Sequence, residues 1–338
     1  MNPVTDMHAH FMPAATIRAA ESGDLWYGMA FERPPEPPRD PSVYPIRPTQ
    51  TFRRVPKYYE TPGERLGGLE AAGVDRQVVS LTPVLYKYDL PLDQAIPFVR
   101  EVNDELRNWA QEWPQHYLGF ATLPLQDTDA SVAELERAVR DLGLVGAIVD
   151  TNVLGEDWDS PQLLPVLQAA EALGAIVFVH PGLPRVAKML PNYHLRNVIG
   201  NPLETTIAVA SMIYGGALDQ VPDLKVLLAH GGGFCCADVG RFDHSYSVRP
   251  EAQGAELLPS AYLRRLYYDS LTHSEQALRY ILDVAGGSQV MLGTDYPADM
   301  GPSKPFDWVS SCDSLSAEEK HAVLRDNAAA LLGARVSV

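Results

Sequence analysis

Histidine and aspartate side chains stand at the ends of four short apolar runs in this 338-residue chain. The first run ends in His8 and His10, two later runs end in His180 and His230, and a fourth ends in Asp295. Residues i and i+2 of a strand point to the same face, so His8 and His10 present two imidazoles side by side. Three imidazoles and one carboxylate form a ligand set for Zn²⁺ or another borderline divalent ion, with an open position for water.

Such a set of residues supports acid–base chemistry around a metal ion. Typical zinc behaviour gives a bound water a pKa of about 7. His230 is suited to accept or return a proton, because imidazole titrates near neutral pH. Asp295 fits as a metal ligand, as a hydrogen-bond partner of the water, or as both.

The fourth apolar run, 146–151, predicts how many metal ions the site holds. Two-metal sites of this design need a bridging group, commonly a carboxylated lysine on the fourth strand, and this run contains no lysine. Asp150 is a weaker candidate for such a bridge. We therefore expect one divalent ion, with Zn²⁺ preferred and Mn²⁺ as the alternative.

The elements that position these residues are eight strand-length apolar runs that alternate with helical patterns. Nearly continuous apolar runs are typical of parallel strands buried on both faces. The runs predict a (β/α)8 TIM-type barrel, in which the chemistry lies at the carboxyl ends of the strands. The alternative is an open doubly wound sheet, but no GxGxxG motif follows the first run. The runs cover residues 4–11, 76–82, 118–125, 146–151, 175–180, 225–230, 266–271 and 289–294, and the helical patterns include 62–72, 92–113, 160–173 and 317–332.

The strand-end residues and the words around them resemble the amidohydrolase superfamily. Its signature is HxH on strand one, His on strands five and six, and Asp on strand eight. The chain is most similar to the branch named for 2-amino-3-carboxymuconate-6-semialdehyde decarboxylase, the amidohydrolase 2 family. The shared words, in chain order, are DMHAHF at 6–11, LPLQD at 123–127, VHP at 179–181, HGGG at 230–233 and MLGTDYP at 291–297.

The resemblance implies a metal-dependent hydrolase fold and a role for each strand-end residue. His8, His10, His180 and Asp295 are then the metal ligands, and His230 is the catalytic base. The branch is known for non-oxidative decarboxylases of aromatic or muconate-type acids, and it includes hydrolases and hydratases. We expect a decarboxylase of a carboxylated aromatic or ring-cleavage acid, with metal-bound water and His230 in proton transfer. The alternative is a hydrolase or hydratase, acting on an amide, lactone, C–C or C=C substrate through metal-bound hydroxide.

Two arginines are implied as contacts of a small-molecule carboxylate substrate. Phe52-Arg53 resembles the family's Phe-Arg in the long first loop, where the arginine grips a substrate carboxylate. Arg241 stands in a GRFD sequence that resembles the GRVD following HGGG in the family. In the family that arginine reaches the neighbouring subunit's site, so the resemblance implies a homodimer. Arginine suits such sites because its planar fork binds carboxylates through two hydrogen bonds.

The composition restricts which classes of partner the chain can bind and where in the cell it is expected to be. The formal charge of −16 excludes nucleic acid as a partner, since phosphate neutralisation needs a basic surface, and it disfavours an anionic membrane. No apolar run approaches the roughly 20 residues that span a bilayer, and no secretory signal is visible, so we expect a cytoplasmic protein. We expect one barrel domain over residues 1–338. Residues 30–62 form a proline-rich inserted loop after the first strand, and this loop carries Arg53 over the site.

Overall fold

The computed structural model describes residues 2–32, 51–53 and 56–333. Eight parallel strands form one sheet in which spatial order follows chain order, and the predicted (β/α)8 barrel is confirmed. The strands are β1 (Thr5–Phe11), β2 (Arg76–Leu81), β3 (Tyr117–Ala121), β4 (Gly146–Val149), β5 (Ile176–Val179), β6 (Lys225–Leu228), β7 (Tyr267–Asp269) and β8 (Val290–Met291).

The barrel closes between its first and last strands. Met7 N–H donates to the carbonyl of Leu292 at 2.8 Å, and His10 N–H donates to the carbonyl of Tyr296 at 2.7 Å. The strand predicted at 289–294 is shorter than expected, because the chain leaves the regular ladder at Gly293. A Cβ atom on Gly293 would lie 2.6 Å from Cβ of Asp269, so only glycine permits this close approach of backbones.

Helices surround the sheet, and two of them differ from their predicted extents. The pattern at 160–173 predicts a helix opened by Ser160, but its regular part begins at Leu164 because Ser160 accepts from the Gln162 N–H in a preceding turn. The pattern at 317–332 is interrupted by a π turn, Ala322–Asp326. The helices are α1 (Ala14–Ser22), α2 (Pro62–Ala72), α3 (Leu92–Glu112), α4 (Thr128–Arg140), α5 (Leu164–Ala172), α6 (Asn201–Tyr214), α7 (Ala217–Gln220), α8 (Val239–Val248), α9 (Pro259–Leu263), α10 (Glu275–Ala285), α11 (Pro305–Ser311), α12 (Ala317–His321) and α13 (Asn327–Leu332).

Two apolar clusters fix the sheet in place. One fills the space between the strands and the helices. The other fills the barrel interior with alternate strand residues, among them Met7, Phe120, Ile176, Phe178 and Leu227. This interior layer forms the floor beneath the carboxyl ends of the strands, where the polar residues stand.

A buried carboxylate joins the strands at the closure of the barrel. Asp6 accepts hydrogen bonds from the His8 N–H at 3.0 Å, from Gln77 Nε2 at 2.8 Å, and from Thr294 N–H at 3.0 Å and Oγ1 at 2.7 Å. Burial raises the pKa of Asp6 to about 6, against the lowering influence of these hydrogen bonds. Asp6 thereby links β1 to β2 and to the segment after β8.

We expect Asp6→Asn to destabilise the fold. The amide keeps the volume, but its NH₂ group faces donors that need an acceptor, and each unsatisfied buried donor costs about 1–3 kcal/mol. The free energy of unfolding, measured in urea, is expected to fall by about 2 kcal/mol. Asp24→Asn on the exposed surface is the matched control, with a change within about 0.5 kcal/mol. Equal effects at the two positions would contradict the closing role of Asp6.

The inserted segment is described only in part. Two short strands, Ala30–Glu32 and Thr51–Arg53, pair in parallel, and a 3₁₀ helix follows at Pro56–Tyr59. Residues 33–50 and 54–55 lie outside the described residues, so the loop over 30–62 and the single domain over 1–338 stay predictions. No helix in the described part of the chain has the length and apolar character needed to cross a membrane. The cytoplasmic location also stays a prediction.

Candidate metal and active site

The structure brings the five strand-end residues together above the barrel interior. The ring centroids of His8 and His10 lie 5.0 Å apart, and that of His180 lies 4.8 Å from both. Asp295 Oδ1 lies 3.3 Å from Nε2 of His8, 3.1 Å from Nε2 of His10 and 4.0 Å from Nε2 of His180. His230 completes the group, with Nε2 3.6 Å from Asp295 Oδ2.

A β-bulge aims the first two histidines inward. Asp6 pairs with Gln77 and Ala9 pairs with Val79, so β1 carries one more residue than β2 over this stretch. A bulge of this kind re-aims side chains at the rim of a sheet. As a result Met7 fills the barrel interior while the next residue, His8, packs edge-on against the interior ring of Phe178 at 5.0 Å.

Each of three histidines has its Nδ1 atom engaged away from the cluster. His8 Nδ1 donates to Asp269 Oδ2 at 2.6 Å, and His180 Nδ1 donates to the carbonyl of Pro181 at 2.9 Å. His10 Nδ1 lies 3.0 Å from Ser80 Oγ, whose own proton is donated to the carbonyl of Ala9. A ring nitrogen that donates in this way leaves the other nitrogen with a lone pair, so all three Nε2 atoms can bind a metal.

The charges in the cluster fit a bound cation. Burial lowers the pKa of His10 to about 4, and it lowers the pKa of His180 well below the usual value, with the neighbouring histidines acting in the same direction. In His8, burial is outweighed by the carboxylates of Asp295 and Asp269, which raise the pKa to about 10. The cluster therefore stabilises one positive charge at its centre, and a divalent cation would take the place of that proton.

A buried ring nitrogen that has no hydrogen-bond partner among the described residues also fits a bound metal ion. Nε2 of His180 is buried and has no hydrogen-bond partner within the described residues. Leaving such an atom unpaired is costly unless it has a ligand. Four donor atoms, from His8, His180, His230 and Asp295, lie within 4.8 Å of one another, and Asp150 is not one of them. Asp150 instead accepts from the N–H groups of Thr151 and Gly182.

His230 differs from the other three histidines in its hydrogen bonding. Its Nδ1 has no partner among the described residues, whereas Nδ1 of His8, His10 and His180 is engaged. Nε2 of His230 lies 3.6 Å from Asp295 Oδ2. By distance alone His230 belongs to the four-donor group, and within the described residues only its unengaged Nδ1 distinguishes it from the other three rings.

Asp269 is a functional residue that our sequence analysis missed. Its carboxylate is fully buried at the end of β7, and it accepts from His8 Nδ1 and from the N–H groups of His230 and Gly231 at 2.9 and 2.8 Å. It thus orients one potential ligand and the backbone of the potential base at once. The signal was present, since Asp269 is also an ionisable residue near the end of a strand-length run.

The glycines after His230 let the backbone pass close to the site. A Cβ atom on Gly233, which has a φ of 65°, would lie 2.2 Å from the carbonyl oxygen of Pro202. His230 and Asp295 themselves have φ values of 55° and 58°. Non-glycine residues rarely adopt this left-handed conformation, and strain of this kind clusters at functional sites.

A cavity of about 280 Å³ opens beside His230 and Asp295. Its apolar walls come from residues that include Pro202, Leu271 and Ile281. Concave, mostly apolar cavities with a few convergent polar groups are the usual form of small-molecule sites. The cavity is therefore the space in which a substrate can meet both side chains.

The two predicted arginine contacts are placed only in part. The backbone of Arg53 lies in the strand Thr51–Arg53, and its side chain lies outside the described residues. Arg241 is exposed on α8 of the single chain. Both contacts, and the homodimer, therefore stay predictions.

Comparisons with known proteins bear on this geometry. A family model described as "Amidohydrolase" matches residues 5–334. A curated relative from Dictyostelium discoideum, named 2-amino-3-carboxymuconate-6-semialdehyde decarboxylase, is 36% identical over 284 residues, which cover 83% of this chain and 79% of that protein. The resemblance inferred from the sequence is confirmed, and so is the expected class of enzyme, a carboxy-lyase.

Solved structures share the barrel. That of 5-carboxyvanillate decarboxylase LigW from Sphingomonas paucimobilis has a TM-score of 0.81 at 24% identity, covering 98% of this chain and 99% of the other. A dihydroxybenzoic acid decarboxylase from Polaromonas has a TM-score of 0.77 at 20% identity, covering 98% of this chain and 97% of the other, and it contains manganese. The donor group of this chain itself supports a divalent metal ion here.

Proposed function

The chain belongs to the amidohydrolase family, and we propose on that premise that it is a metal-dependent, non-oxidative decarboxylase of a carboxylated aromatic or muconate-type acid. One observation carries the proposal. Three imidazoles with engaged Nδ1 atoms turn their Nε2 lone pairs toward Asp295, while Nδ1 of His230 beside them has no partner among the described residues. A metal site and a proton-transfer group thus stand side by side at the cavity.

We assign the metal to His8, His10, His180 and Asp295. Imidazole nitrogens and carboxylate oxygens are both ligands that Zn²⁺ binds in proteins, so Zn²⁺ is proposed, with Mn²⁺ as the alternative. When bound, the divalent ion would act as a Lewis acid that holds an acid's oxygen atoms and withdraws charge from them. Asp269 and Ser80 would keep two of the ligating rings in the required tautomer and orientation.

His230 is proposed to move the proton. Decarboxylation of an aromatic acid needs a proton at the ring carbon that carries the carboxylate. His230 in its protonated form donates that proton to the carbon, the C–C bond to the carboxylate breaks, and its electron pair restores the ring as CO₂ leaves. Asp295 Oδ2, 3.6 Å from His230 Nε2, stabilises the imidazolium before transfer.

The two arginines are proposed to hold the substrate's carboxylate. Arg53 would do so from the inserted loop, and Arg241 would reach from the neighbouring protomer of a homodimer. Support comes from the exposure of Arg241 on α8 of the single chain. A free guanidinium is suited to bind a carboxylate through two hydrogen bonds.

A substrate panel tests the proposed reaction. Zinc-loaded protein is incubated with hydroxybenzoates, other carboxylated phenols and a muconate semialdehyde, and CO₂ release is measured. Esters, amides and lactones are followed in parallel for hydrolysis. CO₂ from at least one acid is expected. Turnover of an ester, amide or lactone with no CO₂ from any acid would contradict the proposal and favour a hydrolase.

The contribution of Arg241 to the neighbouring site predicts complementation between two inactive variants. His230→Asn and Arg241→Ala homodimers are each expected to be nearly inactive. In a mixed dimer, the site that keeps His230 receives Arg241 from its partner and is complete. Dissociating and reassociating an equimolar mixture is expected to restore roughly a quarter of the wild-type sites, because half the dimers are mixed and each has one intact site. No recovery in a mixture shown to contain mixed dimers would contradict the crossed site.

A further inference from the structure

The cavity beside His230 contains two neutral amide side chains that the proposed chemistry does not use. Asn197 and Asn201 both line it, together with the apolar side chains of Leu271 and Ile281. Both are partly buried, and within the described residues neither side chain makes a hydrogen bond that accounts for its amide. Polar groups at the wall of a cavity that have no protein partner are available to a ligand.

The local backbone places the two amides on one face. Residues Arg196–Gly200 form a π turn, in which the Asn201 N–H donates to the carbonyl of Arg196, and this turn leads directly into α6. Side chains four positions apart in a helix lie on the same side, so Asn197 and Asn201 face the cavity together. Single π turns of this kind occur frequently at functional sites.

The charges around the cavity restrict what the amides can bind. Of the described residues that line it, none is lysine or arginine, and Asp295 contributes a negative charge. Beside the amides, none of the described lining residues is therefore a lysine or arginine that could pair with a second carboxylate. Amide groups both donate and accept hydrogen bonds, which suits a hydroxyl group. The apolar walls suit the face of a ring.

We infer that the side chains of Asn197 and Asn201, here called the amide pair, hydrogen-bond a ring hydroxyl of the substrate. The amide pair thereby selects a hydroxylated aromatic monocarboxylic acid over a dicarboxylic or muconate-type acid. The inference rests on the proposed decarboxylase activity and sharpens its substrate class. The carboxylate faces the histidine cluster, and a ring hydroxyl faces the amides. A site built to hydrogen-bond a hydroxyl discriminates against an analogue that lacks it, because the amides are then left unpaired.

The test measures a preference rather than a rate. Salicylate carries one hydroxyl, and each dihydroxybenzoate that keeps this ortho hydroxyl carries a second at a different ring position. The ratio of kcat/KM for the preferred isomer to kcat/KM for salicylate is measured in the zinc-loaded wild type, in Asn197→Leu and in Asn201→Leu. Because both substrates meet the same preparation, a fraction of misfolded protein cancels from the ratio. Asn192→Leu, an exposed position in the same segment, is the matched control.

The wild type is expected to prefer one dihydroxybenzoate by about tenfold or more, the value of a single neutral hydrogen bond. Either leucine variant is expected to reduce the preference to within about twofold, while Asn192→Leu preserves it. An unchanged preference in both variants, or a wild type that turns over a hydroxylated benzenedicarboxylate faster than every dihydroxybenzoate, would overturn the inference.

Binding measurements distinguish a failure of this inference from a failure of the proposed decarboxylase function. Dissociation constants of phenol, catechol and resorcinol are measured by calorimetry on the same zinc-loaded proteins. Tighter binding of one diphenol than of phenol, lost in Asn197→Leu or Asn201→Leu, supports the amide pair even if no acid releases CO₂. Equal binding of phenol and both diphenols to the wild type counts against the pair whatever the activity.

Discussion

Replacing His230 by asparagine is expected to lower kcat by about 10²–10⁴-fold while the protein keeps its metal, since general acid–base groups contribute effects of that size. The reason lies in the hydrogen bonds of the cluster. Nδ1 of His230 has no partner among the described residues, whereas the other three rings each have an engaged Nδ1. Asparagine fills similar space but cannot be protonated at neutral pH.

Metal content distinguishes the two roles open to His230. Its Nε2 lies close enough to the other donors to serve as a ligand. If it were a ligand, His230→Asn would lose metal and activity together, and added zinc would restore part of the activity. We expect instead a full complement of metal and no rescue. His321→Asn, at a half-buried position outside the described cluster, controls for the substitution itself and is expected to leave both quantities unchanged.

Replacing His180 by alanine is expected to lower the metal affinity by about 10²–10³-fold, whereas His230→Asn is expected to keep its metal. Apparent binding free energies of about 10–16 kcal/mol for four-ligand zinc sites correspond to roughly 2.5–4 kcal/mol for each ligand. Nε2 of His180 is buried and has no partner among the described residues, so its lone pair is available to the metal. As a consequence, the variant is expected to lose activity at low metal concentration.

The measurement for His180→Ala is a competition titration with a metal-binding dye. Activity is expected to return in part at high zinc concentration, because the remaining ligands still converge. His194→Ala, at an exposed position on the same connection after β5, is the matched control. Unchanged zinc affinity in His180→Ala would remove this residue from the ligand set.

The cluster was predictable because it obeys a simple spacing rule. Ile176, Phe178 and His180 occupy alternate positions, the first two fill the barrel interior, and the third continues the same row at the rim. An apolar run that ends in one ionisable residue therefore places that residue over the centre of a barrel. The eight alternating runs predicted the fold, and the four that end in ionisable residues predicted the converging side chains.

Other features depend on tertiary contacts that no local pattern records. Asn197 and Asn201 belong to a π turn after a long irregular segment, where no periodicity marks a face. The early end of β8 follows from the close approach of Gly293 to Asp269, which is distant in sequence. The choice between decarboxylation and hydrolysis is likewise absent from the pattern, because both reactions use the same donors.

The most direct measurement of the central claim is metal-dependent CO₂ release. A dihydroxybenzoate with an isotopically labelled carboxylate is incubated with the purified protein as prepared, after metal removal by a chelator, and after reloading with zinc. We predict labelled CO₂ from the first and third preparations, its loss from the second, and the corresponding dihydroxybenzene formed in equal amount. CO₂ release that survives complete metal removal, or hydrolysis of an ester, amide or lactone by a zinc-loaded protein that decarboxylates no acid, would contradict the account.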